Sequence, residues 1–255
     1  MDNLFAQIDA WAVAFGLALA MLLAWAAGRW MGRRARARKD QLLASKFDDA
    51  SLALLGLLLA FTFSMAIGKH DQRRVMVVTD SDAIGDFYTC ASLLKEPVRT
   101  KLQSVIREYT KSRLQVASQR TDKETFERVL QEFQQSHAQM TDLVAQAVND
   151  GTPIAVPLTN TLNEVTSSHA ARLAAARDRL PAVIVLLLFT SAVVATLLVG
   201  REQGAAGKTA VAGTVSFIIL VSFAVYVTLD LNQPMRGLIT PSQEPFQRLL
   251  ASMTK

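Results

Sequence analysis

The chain has 255 residues, of which 51% are hydrophobic and only 19% charged, and its mean hydropathy is +0.23. That balance excludes an ordinary soluble domain of this length, and the apolar residues gather in four blocks that leave roughly one small domain of polar sequence. A single cysteine, Cys90, excludes an internal disulfide framework and a cysteine-built zinc site; the net charge of +5 reads as membrane topology and not nucleic-acid binding, because seven of the 27 Lys and Arg lie between Arg29 and Lys46 beside an apolar block.

The first block, Trp11 to Gly28, has 18 residues and no charge. At about 1.5 Å per helical residue it covers most of a ~30 Å hydrocarbon core, which predicts a transmembrane helix. The leader Met1 to Ala10 carries Asp2 and Asp9 and no Lys or Arg, the wrong sign for a signal peptide, while the basic cluster Arg29, Arg33, Arg34, Arg36, Arg38 and Lys39 follows the block. The second predicted span is Ser51 to Gly68, the third Ala182 to Gly200 behind Pro181, and the fourth Thr209 to Leu229, each uncharged. The expected fold is all-α: residues 1–68 form a first transmembrane hairpin, 69–180 an extramembrane antiparallel helical bundle, 181–229 a second hairpin and 230–255 a tail.

Within the bundle, a helix from about Arg73 to Leu94 continues the second span, and another starts at Pro97 and uses Val98, Leu102, Val105, Ile106, Tyr109 and Leu114. The strongest periodicity follows, with Phe126, Val129, Leu130, Phe133, His137, Met140, Leu143, Val144 and Ala147 on one face. A capping box at Thr121 and Glu124 opens that helix, and Asn149-Asp150-Gly151 before Pro153 closes it. A last helix, Leu158 to Arg179, feeds the third span through Leu162, Val165, His169 and Leu173. Placing the loops 29–50 and 201–208 on the cytoplasmic side gives nine Lys and Arg inside, against eight for the opposite topology. The first span has the most asymmetric flanks, so the expectation is a multi-pass protein of the bacterial inner membrane with its termini and bundle periplasmic.

Two stripes of small residues run at four-residue steps: Ala12, Gly16, Ala20, Ala24 and Gly28 along the first span, and Gly56, Ala60, Ser64 and Gly68 along the second. Such stripes let helix backbones approach closely in lipid, and both read as packing seams. Leu57, Phe61 and Met65 lie beside the second stripe. If copies of this span ringed an axis, that row would form an apolar constriction; in a simple bundle it would pack against a neighbouring helix. Gly204 to Thr209 reads GAAGKT but has Glu202 where a phosphate-binding loop needs glycine. His70, His137 and His169 have no paired spacing and read as surface or half-buried residues, not metal ligands, and Asp80, Asp82 and Asp86 read as a solvated acidic face. No catalytic constellation, metal site or cofactor motif is visible, so no enzyme is expected.

Several segments resemble a bacterial membrane-protein family labelled bestrophin-like, a domain of unknown function. They are Asp48-Asp49-Ala50, Gly56 to Met65 (GLLLAFTFSM), Asp71-Gln72-Arg73-Arg74, Ala83-Ile84-Gly85, Glu96-Pro97, Arg107-Glu108-Tyr109 and Leu231 to Gly237 (LNQPMRG). The likeness runs from about Phe47 to Met253. It implies kinship with bestrophins, pentameric anion channels with four spans and a helical region between the second and third, and it places Leu57, Phe61 and Met65 where a channel neck would be sought. Bestrophins keep that helical region and both termini in the cytoplasm, and their calcium clasp is acid-rich, whereas the tail here has only Asp230 and Glu244; Asn232 and Met235 stand where the family more often has an acid and Phe. Two functions are compatible with these features: a homo-oligomeric anion channel in the lipid bilayer, or a non-conducting scaffold or sensor whose bundle binds a protein partner. The resemblance ranks the channel first.

Overall fold

The structure is a computed structural model that describes residues 9–37, 46–118, 123–208, 210–233 and 237–254. Thr121 of the expected capping box, Arg38 and Lys39 of the basic cluster, Thr209 at the start of the fourth span, and Pro234, Met235 and Arg236 of the tail motif lie outside the described residues. Every regular element among the described residues is a helix: α1 (Ala10–Ala37), α2 (Lys46–Ser92), α3 (Val98–Ser118), α4 (Lys123–Asn149), α5 (Ala155–Arg177), α6 (Ala182–Ala206), α7 (Val211–Leu231) and α8 (Glu244–Ser252). Among the described residues four helical stretches are long and apolar enough to cross a membrane; they contain the first three uncharged blocks and the fourth from Val211 onward. The second block does run on without a break, α2 reaching Ser92 as one helix of 47 residues.

The chain divides into two compact units, one of Met1–Lys69 and Arg179–Gln233, the other of His70–Asp178 and Pro234–Lys255. In the first unit α1 packs most closely on α6 and next on α7. The cause of the α1–α6 approach is four glycines. A methyl group added at Gly28 would lie 2.1 Å from the Leu197 carbonyl oxygen, and one at Gly32 would lie 2.1 Å from that of Arg201. From the other side, Gly200 would collide with the Trp25 carbonyl at 2.3 Å and Gly204 with that of Arg29 at 2.4 Å. Main chain touches main chain here, which suits lipid, where helices gain nothing by excluding water and rely on close packing. Around the seam, Trp25 donates through Nε1 to Gln203 Oε1 at 3.1 Å, and Gln203 Nε2 donates to the Thr214 hydroxyl at 2.9 Å, tying α1 to α6 and α7. Gly207 ends α6 in the left-handed region, at φ 69°, where glycine has no Cβ to clash.

The second unit is a helical bundle with its own core. Val77, Ile84 and Phe87 of α2 meet Leu102, Ile106 and Tyr109 of α3, Phe133 and Met140 of α4, Leu158 and Val165 of α5, and Phe246 of α8. Glu96 anchors the start of α3, its carboxylate accepting from the Thr100 hydroxyl and Arg99 Nε, both at 2.9 Å. These contacts, Thr100 first, hold its carboxyl below the usual range. α5 begins at Ala155, ahead of the expected Leu158, because Pro157 fits a first helical turn. It ends at Arg177, where Asp178 turns extended. Arg73 of α2 reaches across to cap that end, donating to the carbonyls of Ala175 (3.1 Å) and Asp178 (2.7 Å), a favourable place for a cation. The tail is not an appendage: Phe246 is fully buried, and the Met253 carbonyl accepts from Arg107 Nη2 at 2.8 Å and from the Tyr88 hydroxyl at 3.2 Å.

Candidate functional site

Two regions carry chemistry beyond ordinary packing, one in each unit. In the first, Leu57, Phe61 and Met65 of α2 are 52%, 61% and 40% exposed. They face away from the other helices of the chain, as do Gly56, Ala60, Ser64 and Gly68 of the small-residue stripe beside them. A side chain added at Gly56 or Gly68 would meet nothing within 4 Å. The span within α2 is also the least covered of the four, 17% of its most apolar window being buried against 28% for each of the others. Its buried points are Leu55, Thr62 and Ala66, and the Thr62 hydroxyl is bonded back to its own helix at the Leu58 carbonyl, 2.8 Å away.

The first stripe divides. Ala12, Gly16 and Ala20 line an apolar groove of about 510 Å³ between α1 and α6, with Phe189 on the opposite wall. Only Ala24 and Gly28 enter the packed seam, and the seam continues through Gly32, Gly200 and Gly204, which the sequence pattern had not assigned to packing. Gly204 thus has a place in helix packing, and residues 204–208 of the GAAGKT segment cover the end of α6 and the turn after it.

In the second unit the acidic-face reading is corrected at one position. Asp82 and Asp86 are exposed, but Asp80 is fully buried, because it shares the inner face of α2 with Val77, Ile84 and Phe87. Its Oδ2 accepts from Arg113 Nη2 of α3 and, at 3.0 Å, from Arg172 Nη1 of α5; its Oδ1 accepts from the Ser168 hydroxyl at 2.9 Å. Arg172 stacks 4.8 Å from the Phe246 ring and donates to Gln243 Oε1 at 3.0 Å, which brings the tail into the cluster.

The histidines His137 and His169, 32 positions apart in sequence, meet here with ring centroids 5.4 Å apart, and both are half-buried. Arg113 Nη1 lies 2.6 Å from His169 Nδ1. A guanidinium can only donate, so Nδ1 accepts and the His169 proton sits on Nε2. His137 Nε2 is 3.2 Å from the Tyr109 hydroxyl. Arg113 lies over the rings of Tyr109 and Phe133, at 5.5 and 5.1 Å, and its Nε is buried with no hydrogen-bond partner among the described residues.

Electrostatically, burial pushes the Asp80 carboxyl up, but Arg113 and Arg172 outweigh burial and hold it below its usual value. Burial and then Arg113 lower both histidines, His169 to about 4. Burial pushes the Tyr109 hydroxyl up to about 12. At neutral pH the cluster therefore holds two guanidiniums, one carboxylate and two neutral imidazoles. Among the described residues no group of three or more His, Cys, Asp or Glu is placed to hold a metal ion.

Among the described residues, all-helical structure with four membrane-length apolar helices and a second compact unit that holds a buried charge cluster defines a multi-pass membrane protein. Residues 14–246 match the Bestrophin-like domain family, and the chain belongs to it. No curated protein and no solved structure matches the chain. The segments that carry the resemblance include working parts of the fold: Arg73 caps α5, Ile84 and Tyr109 are core, and Arg107 holds the Met253 carbonyl. In the tail motif, Asn232 Oδ1 accepts the Leu180 amide at 2.8 Å, a task for which an acceptor alone is needed, so amide and carboxylate would serve alike.

Proposed function

We propose that the protein is a homo-oligomeric anion channel of the bacterial inner membrane, with α2 residues 51–68 lining the pore and Leu57, Phe61 and Met65 forming its constriction. The carrying observation is the uncovered face of α2: three large apolar side chains in a row, beside an exposed small-residue stripe where, among the described residues, nothing comes within 4 Å of a side chain added at Gly56 or Gly68. A neighbouring subunit could pack on the stripe while the row faces the axis. Family membership supports the same reading. In this arrangement the two hairpins span the bilayer, the bundle and termini lie on the periplasmic side because of the Arg29 to Lys39 cluster, and the protein performs no catalysis. Replacing Phe61 with Ala is expected to raise anion flux in liposomes while the oligomer persists. Wild-type and Phe61→Ala proteins that both stay monomeric in mild detergent and pass no ions would remove the channel.

A second reading, a non-conducting scaffold or sensor whose bundle binds a protein partner, is favoured by one observation. Residues 51–68 hold no charged side chain, and the Thr62 hydroxyl is turned to its own backbone, so beside the row of Leu57, Phe61 and Met65 this face offers an anion little more than the Ser64 hydroxyl. An alkaline phosphatase fused after Lys123 should be active if the bundle is periplasmic; an inactive fusion with an active cytoplasmic reporter at the same site reverses the side.

A further inference from the structure

We infer that the His137–His169 pair is a proton-operated latch: it closes α4 onto α3 and α5 when both rings are neutral and releases α4 when they are protonated. This goes beyond conduction, since it concerns the bundle alone and holds for a channel or a scaffold.

The geometry is specific. His169, on α5, faces Arg113 of α3 on one side and His137 of α4 on another, while Phe133 of α4 packs edge-on to its ring at 5.7 Å. The other groups around the rings are Asp80 from α2, Tyr109 from α3 and Arg172 from α5 itself. Asp80 is the one carboxylate among them, and it is already engaged by both guanidiniums. A proton on His169 Nδ1 converts the acceptor of Arg113 into a second donor at 2.6 Å. A proton on His137 adds a further cation beside it. Two arginines and two imidazoliums would then share one carboxylate in a site whose Asp80 and Arg113 are buried and whose rings are half-buried, where like charges repel more than in open water.

The weakest wall should yield. α2, α3 and α5 are pinned together by Asp80 through charged hydrogen bonds, whereas the contacts of α4 with the cluster are those of Phe133 and His137. α4 is therefore the element that moves. Acid that protonates the histidines leaves Asp80 ionised, its pKa being held low by Arg113 and Arg172, but this single carboxylate, already engaged by both guanidiniums, offsets only part of the charge of four cations.

The test is amide hydrogen exchange on the full-length protein in detergent, read on residues 130–149 of α4 and on α8. Between about pH 7 and about pH 4, exchange corrected for its intrinsic pH dependence should speed up at least about fivefold in α4 and remain unchanged in α8. His169→Asn keeps an acceptor where Nδ1 stands and cannot take up a proton, so the acceleration should be lost or much reduced. Equal acceleration in His169→Asn and wild type, or none in the wild type, overturns the latch. Should the variant fail to fold, the wild-type imidazole resonances decide: ring protonation that proceeds without α4 opening overturns it, and opening that tracks the protonation supports it.

Discussion

The two units are held together by opposite means. In the first, helices meet through glycines with main chain against main chain, and the buried side chains are almost all apolar or hydroxyl-bearing. In the second, an ordinary apolar core surrounds a fully buried carboxylate shared by two arginines. Lipid gives no reward for excluding water, so around membrane-length helices proximity must supply the attraction. In the second unit an apolar core supplies the cohesion, and the buried charges fix which helices meet and where, provided each is paired.

The largest test of this contrast is Asp80→Ala, which strands two buried guanidiniums. It should cost about 3–5 kcal/mol and lower the unfolding midpoint of the bundle in detergent, while α1 and α6 stay in contact by cysteine crosslinking. Gly200→Ala, which forces a methyl against the Trp25 carbonyl, should do the reverse: a loss of about 1–3 kcal/mol and weaker α1–α6 crosslinking, with exchange in the bundle core unchanged. Asn232→Ala removes the acceptor for the Leu180 amide and should cost about 1 kcal/mol, whereas Asn232→Asp should be close to neutral; thermal unfolding of the pair separates an acceptor role from any need for the amide. The smallest effect is expected for Gly56→Ala. The added methyl meets nothing among the described residues, so the monomer should gain no more than about 0.5–1 kcal/mol from helix propensity, and a loss seen only in the oligomer would mark the stripe as a subunit contact.

The pH dependence sharpens the same comparison. His169 titrates near 4 in the folded bundle against 6.5 ordinarily, so the unfolded chain binds the proton first. Its contribution to stability is complete above about pH 6.5, falls as pH drops toward 4, and is gone below. A bundle whose stability stays level across that window, by denaturant titration at several pH values, would show that the ring is not held as described.

The spans were legible because a water-soluble fold rarely keeps a block of near-bilayer length free of charge, and α4 because its apolar face repeats over many turns. The seam was only half legible. Ala24 and Gly28 belong to a visible stripe, but Gly32 lies past the end of the uncharged block, and Gly204 sits in a segment that resembles a phosphate loop. Spacing does carry the signal: Ala192, Thr196, Gly200 and Gly204 recur every four residues and all are buried. Asp80 was hidden by Asp82 and Asp86, since three acids in seven residues read as a solvated face, although Asp80 alone keeps step with Val77, Ile84 and Phe87. That His137 and His169 would meet was beyond periodicity, which assigns faces to helices but does not pair them.

The glycine seam also has a consequence for synthesis. Its two halves are separated by some 170 residues, and His70–Asp178 of the second unit are made between them. At roughly 5–20 residues per second, the face of Gly28 and Gly32 waits on the order of ten to thirty seconds after translation before its partner emerges. During that interval α1 presents bare main chain to whatever surrounds it. The insertion machinery, or a temporary helix partner, must shield that face until α6 arrives, and a ribosome stalled between the two halves would leave α1 without the surface it is shaped to meet.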